Sequence, residues 1–167
     1  AADALGLEPV PSFHPDLARG VATYALELFT SAGELDTVYV PIGLGSGICG
    51  VITVRDLLGL KTKVVGVVST EAPCYALSFE AGRPVPTNTA RTFADGMAVR
   101  TPDPMALEII RAGADRIVTV SEDDVAAAMR AYFEDTHNLA EGAGAAALAA
   151  LCKEGAAKAG EIGRAHV

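Results

Sequence analysis

A glycine-rich junction between a β-branched segment and an apolar segment constrains the fold of this chain more than any other feature. The segment VYVPIGLGSGICGVI, residues 38–52, carries glycines at positions 43, 45, 47 and 50, and the last three spell G-x-G-x-x-G. A strand that runs through glycines into a helix presents unpaired N–H groups and the positive end of the helix dipole to an anion. The junction therefore predicts a phosphate-binding loop, with tight packing of two elements as the alternative.

The periodicity of the apolar residues predicts that strands and helices alternate along the chain. We expect strands over residues 37–40, 63–68 and 115–120, and helices over residues 15–33, 48–58, 103–113, 121–132 and 142–153. The second strand, KVVGVV, is apolar almost throughout, which is typical of a strand buried on both faces of a parallel sheet. This order predicts an α/β fold with three αβα layers around a mostly parallel sheet. Three strands are fewer than an average sheet contains, so we expect an incomplete sheet.

The composition limits the classes of partner and compartment. The chain has 167 residues, half of them hydrophobic, and its 21 acidic and 13 basic residues give a net charge of -8. Such a charge predicts neither a nucleic-acid partner nor an anionic membrane partner. Cys49, Cys74 and Cys152 form no C-x-x-C pair, so we interpret them as buried thiols in a reducing compartment. Without an apolar run of ~20 residues or an export signal, we expect a cytoplasmic protein.

The glycine spacing alone also allows a dinucleotide-binding domain. In that fingerprint the strand runs almost directly into the first glycine, whereas residues 41–44 intervene before Gly45 here. The fingerprint also requires an acidic residue at the end of the second strand, and the first one here, Glu71, comes late. An NAD-dependent oxidoreductase domain stays an alternative, as does a non-enzymatic module that binds a phosphate ligand.

Four blocks of this sequence resemble, in order and spacing, the serine/threonine dehydratases. The blocks are VYVPIGLGSGICGVI, VVGVVSTEAPCYALSFEAGRPV, TFADGMAVR and FEDTHNLAEGAGAAALAAL, and the resemblance extends from Leu5 to Lys153. It implies the large domain of a fold type II enzyme with pyridoxal 5'-phosphate (PLP) as cofactor. It further implies a homo-oligomer that deaminates threonine or serine to a 2-oxo acid and ammonia. Another PLP-dependent hydroxy amino acid lyase or racemase is the alternative within this fold type.

The resemblance assigns the phosphate of PLP to the glycine loop. The family usually has four consecutive glycines where this chain has Gly43, Leu44, Gly45 and Ser46, and Gly47 follows. Backbone N–H groups bind the phosphate in such a loop, and the hydroxyl of Ser46 could add a hydrogen bond. We expect these five residues to form the phosphate cup.

Two other segments are assigned to the cofactor site by the resemblance. Asp95 and Gly96 in FADGMAV match a segment beside the pyridine ring, and Glu141 in LAEGAGA matches a glutamate close to the cofactor. Each has a structural alternative, because DG is a turn signal and a glutamate at a helix start complements the helix dipole. His14 and His137 have no paired ligand spacing, and we interpret them as helix-end or packing residues.

Several parts of the family's catalytic machinery are absent from this sequence. Its lysines, at positions 61, 63, 153 and 158, do not lie in the family's S-x-K-x-R motif. Val68 stands where some relatives have a carboxylate that binds a cation, so we predict no metal site. We expect residues 1–160 to be a partial large domain whose Schiff-base lysine lies outside this chain, and expect the fragment alone to be inactive. Residues 161–167, EIGRAHV, break the alanine-rich pattern and resemble a translated sequencing adapter, so we expect a non-native tail.

Overall fold

A four-stranded parallel sheet lies at the centre of the computed structural model, which describes residues 3–8, 11–155 and 162–164. The strands are β1 (Thr37–Pro41), β2 (Lys63–Ser69), β3 (Arg116–Val120) and β4 (Ile162–Arg164). They lie in the order β3-β2-β1-β4, and each neighbouring pair is parallel. The register places Tyr39 opposite Val65 and Val67 opposite Val118. The prediction of a parallel α/β sheet is confirmed.

Helices connect the strands and cover both faces of the sheet. Within the described residues they are α1 (Pro15–Ser31), α2 (Ser46–Leu57), α3 (Cys74–Ala81), α4 (Pro104–Gly113), α5 (Glu122–Thr136) and α6 (Gly142–Glu154). Two short 3-10 helices span Asp3–Leu5 and Asp95–Met97. None of the helices in this part of the chain combines the length and apolar character that crossing a bilayer requires.

The strands divide the interior into two hydrophobic clusters, because successive side chains of a strand point to opposite faces. Val38 and Val40 pack with residues of α1 to α4 on one face. Tyr39, between them, packs with α5 and α6 on the other face. Strand β2 repeats the alternation, with Val64 and Val65 in different clusters. The three αβα layers predicted from the sequence follow from this alternation.

Side-chain caps fix where two of the helices begin. The carboxylate of Asp103 accepts hydrogen bonds from the N–H groups of Met105 and Ala106, at 2.9 and 3.0 Å, at the start of α4. Ser121 and Asp124 form the reciprocal capping box of α5 that the S-x-x-D spacing predicts. These local interactions explain why both helix starts could be located from the sequence.

The structure departs from the sequence predictions at three places. Helix α3 was not predicted, because its sequence CYALSFEA has no clear polar face. The prediction that all cysteines are buried is wrong for Cys152, which is exposed, whereas Cys49 and Cys74 are buried. Strand β4 lies inside the segment expected to be a non-native tail, and its backbone pairs with the first three residues of β1. The origin of that tail stays a prediction, and Glu161 and residues 165–167 lie outside the described residues.

A partly buried ion pair connects the end of α6 to the sheet. The carboxylate of Glu154, whose side chain is 8% exposed, accepts a hydrogen bond from Arg116 Nε at 2.9 Å. It also accepts a hydrogen bond from the hydroxyl of Tyr39 at 2.7 Å. Because Arg116 belongs to β3 and Tyr39 to β1, one carboxylate joins three elements.

We predict that Glu154→Ala lowers the free energy of unfolding by about 2 kcal/mol, because the Nε of the partly buried Arg116 and the hydroxyl of Tyr39 both lose their acceptor. The control Glu27→Ala removes an exposed glutamate of α1 and should change stability by less than about 0.5 kcal/mol. Chemical denaturation measures both values. Equal stability of the two variants would show that the contacts of Glu154 with β1 and β3 do not stabilise the fold.

Candidate functional site

A cavity of about 320 Å³ opens beyond the carboxyl end of β1. Open parallel α/β sheets bind ligands at this edge. The cavity brings together most of the residues that the sequence assigns to the cofactor: Gly43, Leu44, Gly45, Ser46, Gly47, Gly96 and Glu141. Residues from α1 and α6, among them Val21 and Gly144, complete its lining.

Two glycines of the loop are required by the backbone geometry. Gly45 has φ +102° at the N-cap of α2, a conformation that side chains with a Cβ rarely adopt. A Cβ on Gly43 would lie 2.3 Å from the carbonyl oxygen of Gly96, so the two backbones approach each other without room for a side chain. The loop therefore curves tightly and contacts the Asp95–Met97 helix directly.

The N–H groups of the loop are free to bind a ligand. Before the loop, Ile42 N–H donates to the carbonyl of Val67 at 2.8 Å, and after it Cys49 N–H donates to the carbonyl of Gly45 at 3.0 Å. Between these two bonds, the N–H groups of residues 43–48 donate to no acceptor within the described part of the chain. The first turn of α2 carries no acidic side chain, so the positive end of its dipole is not neutralised there. The loop therefore has the free donors and the positive helix end that are typical of an anion-binding site.

Two tyrosine hydroxyls bind the carbonyl groups of the same loop. Tyr75 of α3 donates to the carbonyl of Leu44 at 2.7 Å, and Tyr24 of α1 donates to the carbonyl of Gly47 at 3.1 Å. Burial raises the pKa of both hydroxyls, that of Tyr24 to about 12, so both are protonated donors at neutral pH. Sequence reasoning missed both residues, since neither is near the loop in the chain.

Asp95 and Gly96 are positioned differently from each other. Both belong to the 3-10 helix Asp95–Met97, in agreement with the turn interpretation of the DG pair. Gly96 lines the cavity, whereas Asp95 is exposed and is not among the lining residues. A Cβ on Gly96 would lie 3.0 Å from the Cβ of Ala143, so this turn is packed between the glycine loop and α6.

A glutamate that the sequence did not single out holds the segment before this turn. Glu122, the first residue of α5, accepts hydrogen bonds from the Phe93 N–H at 2.9 Å and from the Ser69 hydroxyl at 2.7 Å. Ser69 is fully buried at the end of β2. The carboxylate therefore ties the chain that leads into Gly96 to the end of a central strand.

Glu141 both caps a helix and lines the cavity. Its two carboxylate oxygens accept hydrogen bonds from the N–H groups of Ala143 at 3.1 Å and Gly144 at 2.9 Å, at the start of α6. The dipole interpretation of this residue is therefore realised in the structure. Its place in the lining also brings it to the predicted cofactor site.

The remaining candidates lie away from the cavity. His14 caps the start of α1, and His137 ends α5 with φ +56°, so both are helix-end residues. Val68 is buried in the cluster beneath α1 to α4. Among the described residues, no group of three or more histidine, cysteine, aspartate or glutamate side chains is arranged to hold a metal ion. None of the described lysines lines the cavity.

Comparison with known proteins finds one family model that covers nearly the whole chain. A family model described as pyridoxal-phosphate dependent enzyme matches residues 2–167. The biosynthetic L-threonine dehydratase of Salmonella typhimurium is 37% identical over 149 residues, which cover 89% of this chain and 29% of that protein. The phenylserine dehydratase of Ralstonia pickettii is 39% identical over 132 residues, which cover 79% of this chain and 40% of that protein. The chain thus spans less than half the length of these relatives.

The fold also matches a solved structure closely. The crystal structure of the threonine deaminase from T.th. superposes with a TM-score of 0.90 at 31% sequence identity. The superposition covers 98% of this chain and 57% of that chain. The layered domain with its glycine loop is therefore the type II fold that the sequence predicts.

We predict that Gly45→Ala destabilises the chain by about 2 kcal/mol, because a Cβ at this position meets an unfavourable φ and lies 2.9 Å from the Cβ of Ala106. The control Gly20→Ala lies in α1, where a Cβ meets no atom within 4 Å. It should stabilise the chain by roughly 0.7 kcal/mol, since alanine is the better helix former. Thermal unfolding of both variants tests whether the two stability changes have opposite signs. Destabilisation by both substitutions would contradict this prediction.

The carboxylate of Glu122 should make stability depend on pH. Burial alone raises the pKa of Glu122. The hydrogen bonds from the Phe93 N–H and from the hydroxyls of Ser69 and Thr92 outweigh burial, so its pKa lies below the ordinary value of 4.5. A carboxylate with a lowered pKa stabilises the fold above its ordinary pKa, and this contribution disappears as the pH falls through the folded-state pKa.

We therefore predict that Glu122→Gln costs about 1 kcal/mol of stability at neutral pH and that the deficit shrinks below about pH 4. Glu134→Gln is the matched control, because Glu134 is an exposed residue of the same helix. Denaturation curves across this pH range provide the test. A deficit that is constant with pH would show that the charge of Glu122 does not stabilise this segment.

Proposed function

Because the chain belongs to the family of pyridoxal-phosphate dependent enzymes, we propose that it supplies the phosphate-binding part of a threonine or serine dehydratase. The likeness to threonine dehydratases over most of the chain supports this choice among PLP enzymes. The chain spans only 29% of the Salmonella enzyme. We therefore assign the activity to a longer protein that contains this domain.

The free N–H groups of the glycine loop are the observation that carries the proposal. Residues 43–48 present these groups at the start of α2, in a tightly curved loop that requires glycine at position 45 for its positive φ and at position 43 for the close approach of the Gly96 backbone. A phosphate group fits this set of donors, because anions bind where backbone N–H groups and a helix N-terminus converge. In this proposal residues 43–47 hold the phosphate of PLP.

The other lining residues border the cofactor in this proposal. Gly96 and Glu141 line the same cavity as the loop, from the turn and from the start of α6. Both carboxylate oxygens of Glu141 accept hydrogen bonds from backbone N–H groups. In this proposal the residue therefore fixes the start of α6 at the edge of the cavity. Asp95 is exposed, and we assign it to the outer side of the same turn.

The reaction we propose is the elimination of the β-hydroxyl of threonine or serine, followed by release of a 2-oxo acid and ammonia. When bound, PLP supplies the electron sink for bond breaking at the substrate Cα. This chain contributes binding and orientation through the loop donors and the packed turn at Gly96. Since none of the described lysines lines the cavity, we assign the lysine that anchors PLP to a part of the protein outside these residues.

We further propose that the intact enzyme is a cytoplasmic homo-oligomer whose partner molecule is a hydroxy amino acid rather than nucleic acid or a membrane. Free cysteines at positions 49, 74 and 152 suit a reducing compartment. Leu57 of α2 and Met105 of α4 are exposed and line one apolar groove, which subunit contacts would cover. The net charge of -8 supports the exclusion of nucleic acid.

We predict that the isolated chain forms no 2-oxobutyrate from threonine in the presence of PLP, because several cooperating catalytic groups are missing. A chimaera in which this chain replaces the matching segment of the Salmonella threonine dehydratase should regain PLP-dependent release of 2-oxobutyrate and ammonia. The same chimaera with Gly45→Val is the control, and should lose PLP because the loop cannot adopt its conformation. Colorimetric assays of 2-oxo acid and ammonia measure the outcome.

Three results would contradict the proposed function. Turnover by the isolated chain would show that the catalytic groups lie within it. A folded chimaera that retains PLP but produces racemised amino acid without ammonia would identify a racemase. A chimaera that releases ammonia equally well without PLP would exclude the cofactor itself.

A further inference from the structure

The hydroxyl of Tyr75 lies between two backbone segments beneath the glycine loop. It donates to the carbonyl of Leu44 at 2.7 Å and accepts a hydrogen bond from the Asp103 N–H at 3.0 Å. The side chain is 1% exposed and belongs to α3. A phenol has a single proton to donate. Since the bond with Asp103 uses an oxygen lone pair, that proton is committed to Leu44.

The geometry of the peptide bond transmits this contact to the next N–H group. In a planar trans peptide the carbonyl and the following N–H point in opposite directions. The carbonyl of Leu44 points at Tyr75, so the N–H of Gly45 points away from it. This N–H donates to no acceptor within the described residues, and both Leu44 and Gly45 line the cavity.

No regular secondary structure orients this peptide. Helix α2 begins at Ser46, and within the described residues the carbonyl of Leu44 accepts a hydrogen bond only from Tyr75. Gly45 carries φ +102°, and a glycine at such a position has other accessible conformations. The hydrogen bond from Tyr75 is therefore the interaction that selects one orientation of the Leu44–Gly45 peptide.

We propose that Tyr75 is a positioning residue of the phosphate cup: its hydroxyl holds the Leu44–Gly45 peptide so that the Gly45 N–H faces the phosphate of the cofactor. This inference rests on the proposed function, because it requires the loop to bind a phosphate. Tyr75 does not line the cavity and acts only through the backbone. Its bond with Asp103 also couples the cup to the start of α4, which the Asp103 carboxylate caps.

Tyr24 provides an internal comparison. Its hydroxyl donates to the carbonyl of Gly47 at 3.1 Å, but Gly47 lies within α2, where helical geometry already orients the peptide. Loss of the Tyr24 hydroxyl should therefore disturb the cup less than loss of the Tyr75 hydroxyl. Tyr39 is as buried as Tyr75, and its hydroxyl donates to Glu154 at the end of α6 rather than to a carbonyl of the loop.

The test compares the variants Tyr75→Phe, Tyr24→Phe and Tyr39→Phe of this chain, which each lose one oxygen atom. The probes are pyridoxamine 5'-phosphate and pyridoxamine, whose amine avoids the reaction of an aldehyde with surface lysines. Affinities come from ligand-dependent thermal stabilisation. We expect Tyr75→Phe to bind the phosphorylated probe roughly fivefold more weakly, as loss of one hydrogen bond implies. Pyridoxamine binding should not change, Tyr39→Phe should stay within about twofold of the unmodified chain, and Tyr24→Phe should weaken binding of the phosphorylated probe less than Tyr75→Phe does.

The outcomes separate this inference from the proposed function. Equal affinity of the unmodified chain for the two probes would contradict a phosphate cup at this loop, and with it the role of Tyr75. A preference for the phosphorylated probe that Tyr75→Phe retains would overturn the positioning role alone. If Tyr75→Phe lowered the affinity for both probes equally, Tyr75 would have a general packing role. That result would also overturn the positioning role.

A measurement on the unmodified chain covers the case in which Tyr75→Phe does not fold. The amide signal of Gly45 is followed by NMR while each probe is added. We expect this signal to shift with pyridoxamine 5'-phosphate and to stay in place with pyridoxamine. A Gly45 signal that does not move while the signals of Ser46 and Gly47 shift would show that its N–H does not face the phosphate.

Discussion

The site depends on how closely two backbones approach each other, since a Cβ on Gly43 would lie 2.3 Å from the carbonyl oxygen of Gly96. This contact joins the loop after β1 to the turn that Glu122 fastens to the end of β2. The same turn packs against α6, where Glu141 caps the helix. The glycine loop, the turn at Gly96 and the start of α6 therefore meet at the carboxyl edge of the sheet. The free N–H groups of the loop lie at this meeting point.

Most of the framework could be predicted from the sequence because its signals are local. A β-branched run, a glycine junction and capping residues such as Asp103 and Ser121 act within a few positions of the chain. Helix α3 was missed because it is apolar on most sides, and β4 because three residues carry little pattern. The resemblance to the dehydratases located the glycine loop, Gly96 and Glu141, which one cavity brings together.

The supports of the site could not be predicted, because they act over long distances in the chain. Tyr75 is 31 residues from Leu44, and Glu122 is 29 residues from Phe93. Nothing in the spacing of these residues indicates their contacts, which arise only when α3 and α5 pack against the sheet. The glycine pattern thus identifies the loop, but the side chains that hold the loop and the turn in place, Tyr75 and Glu122, belong to no sequence motif.

A crystal structure of the protein with PLP bound tests the central claim most directly. We expect the phosphate oxygens to lie within hydrogen-bond distance of N–H groups from residues 43–47, with the carbonyl of Leu44 still bonded to Tyr75. Such a complex would show a preformed loop that receives the anion without rearrangement. Phosphate bound elsewhere, with the loop N–H groups paired to protein acceptors, would contradict the account.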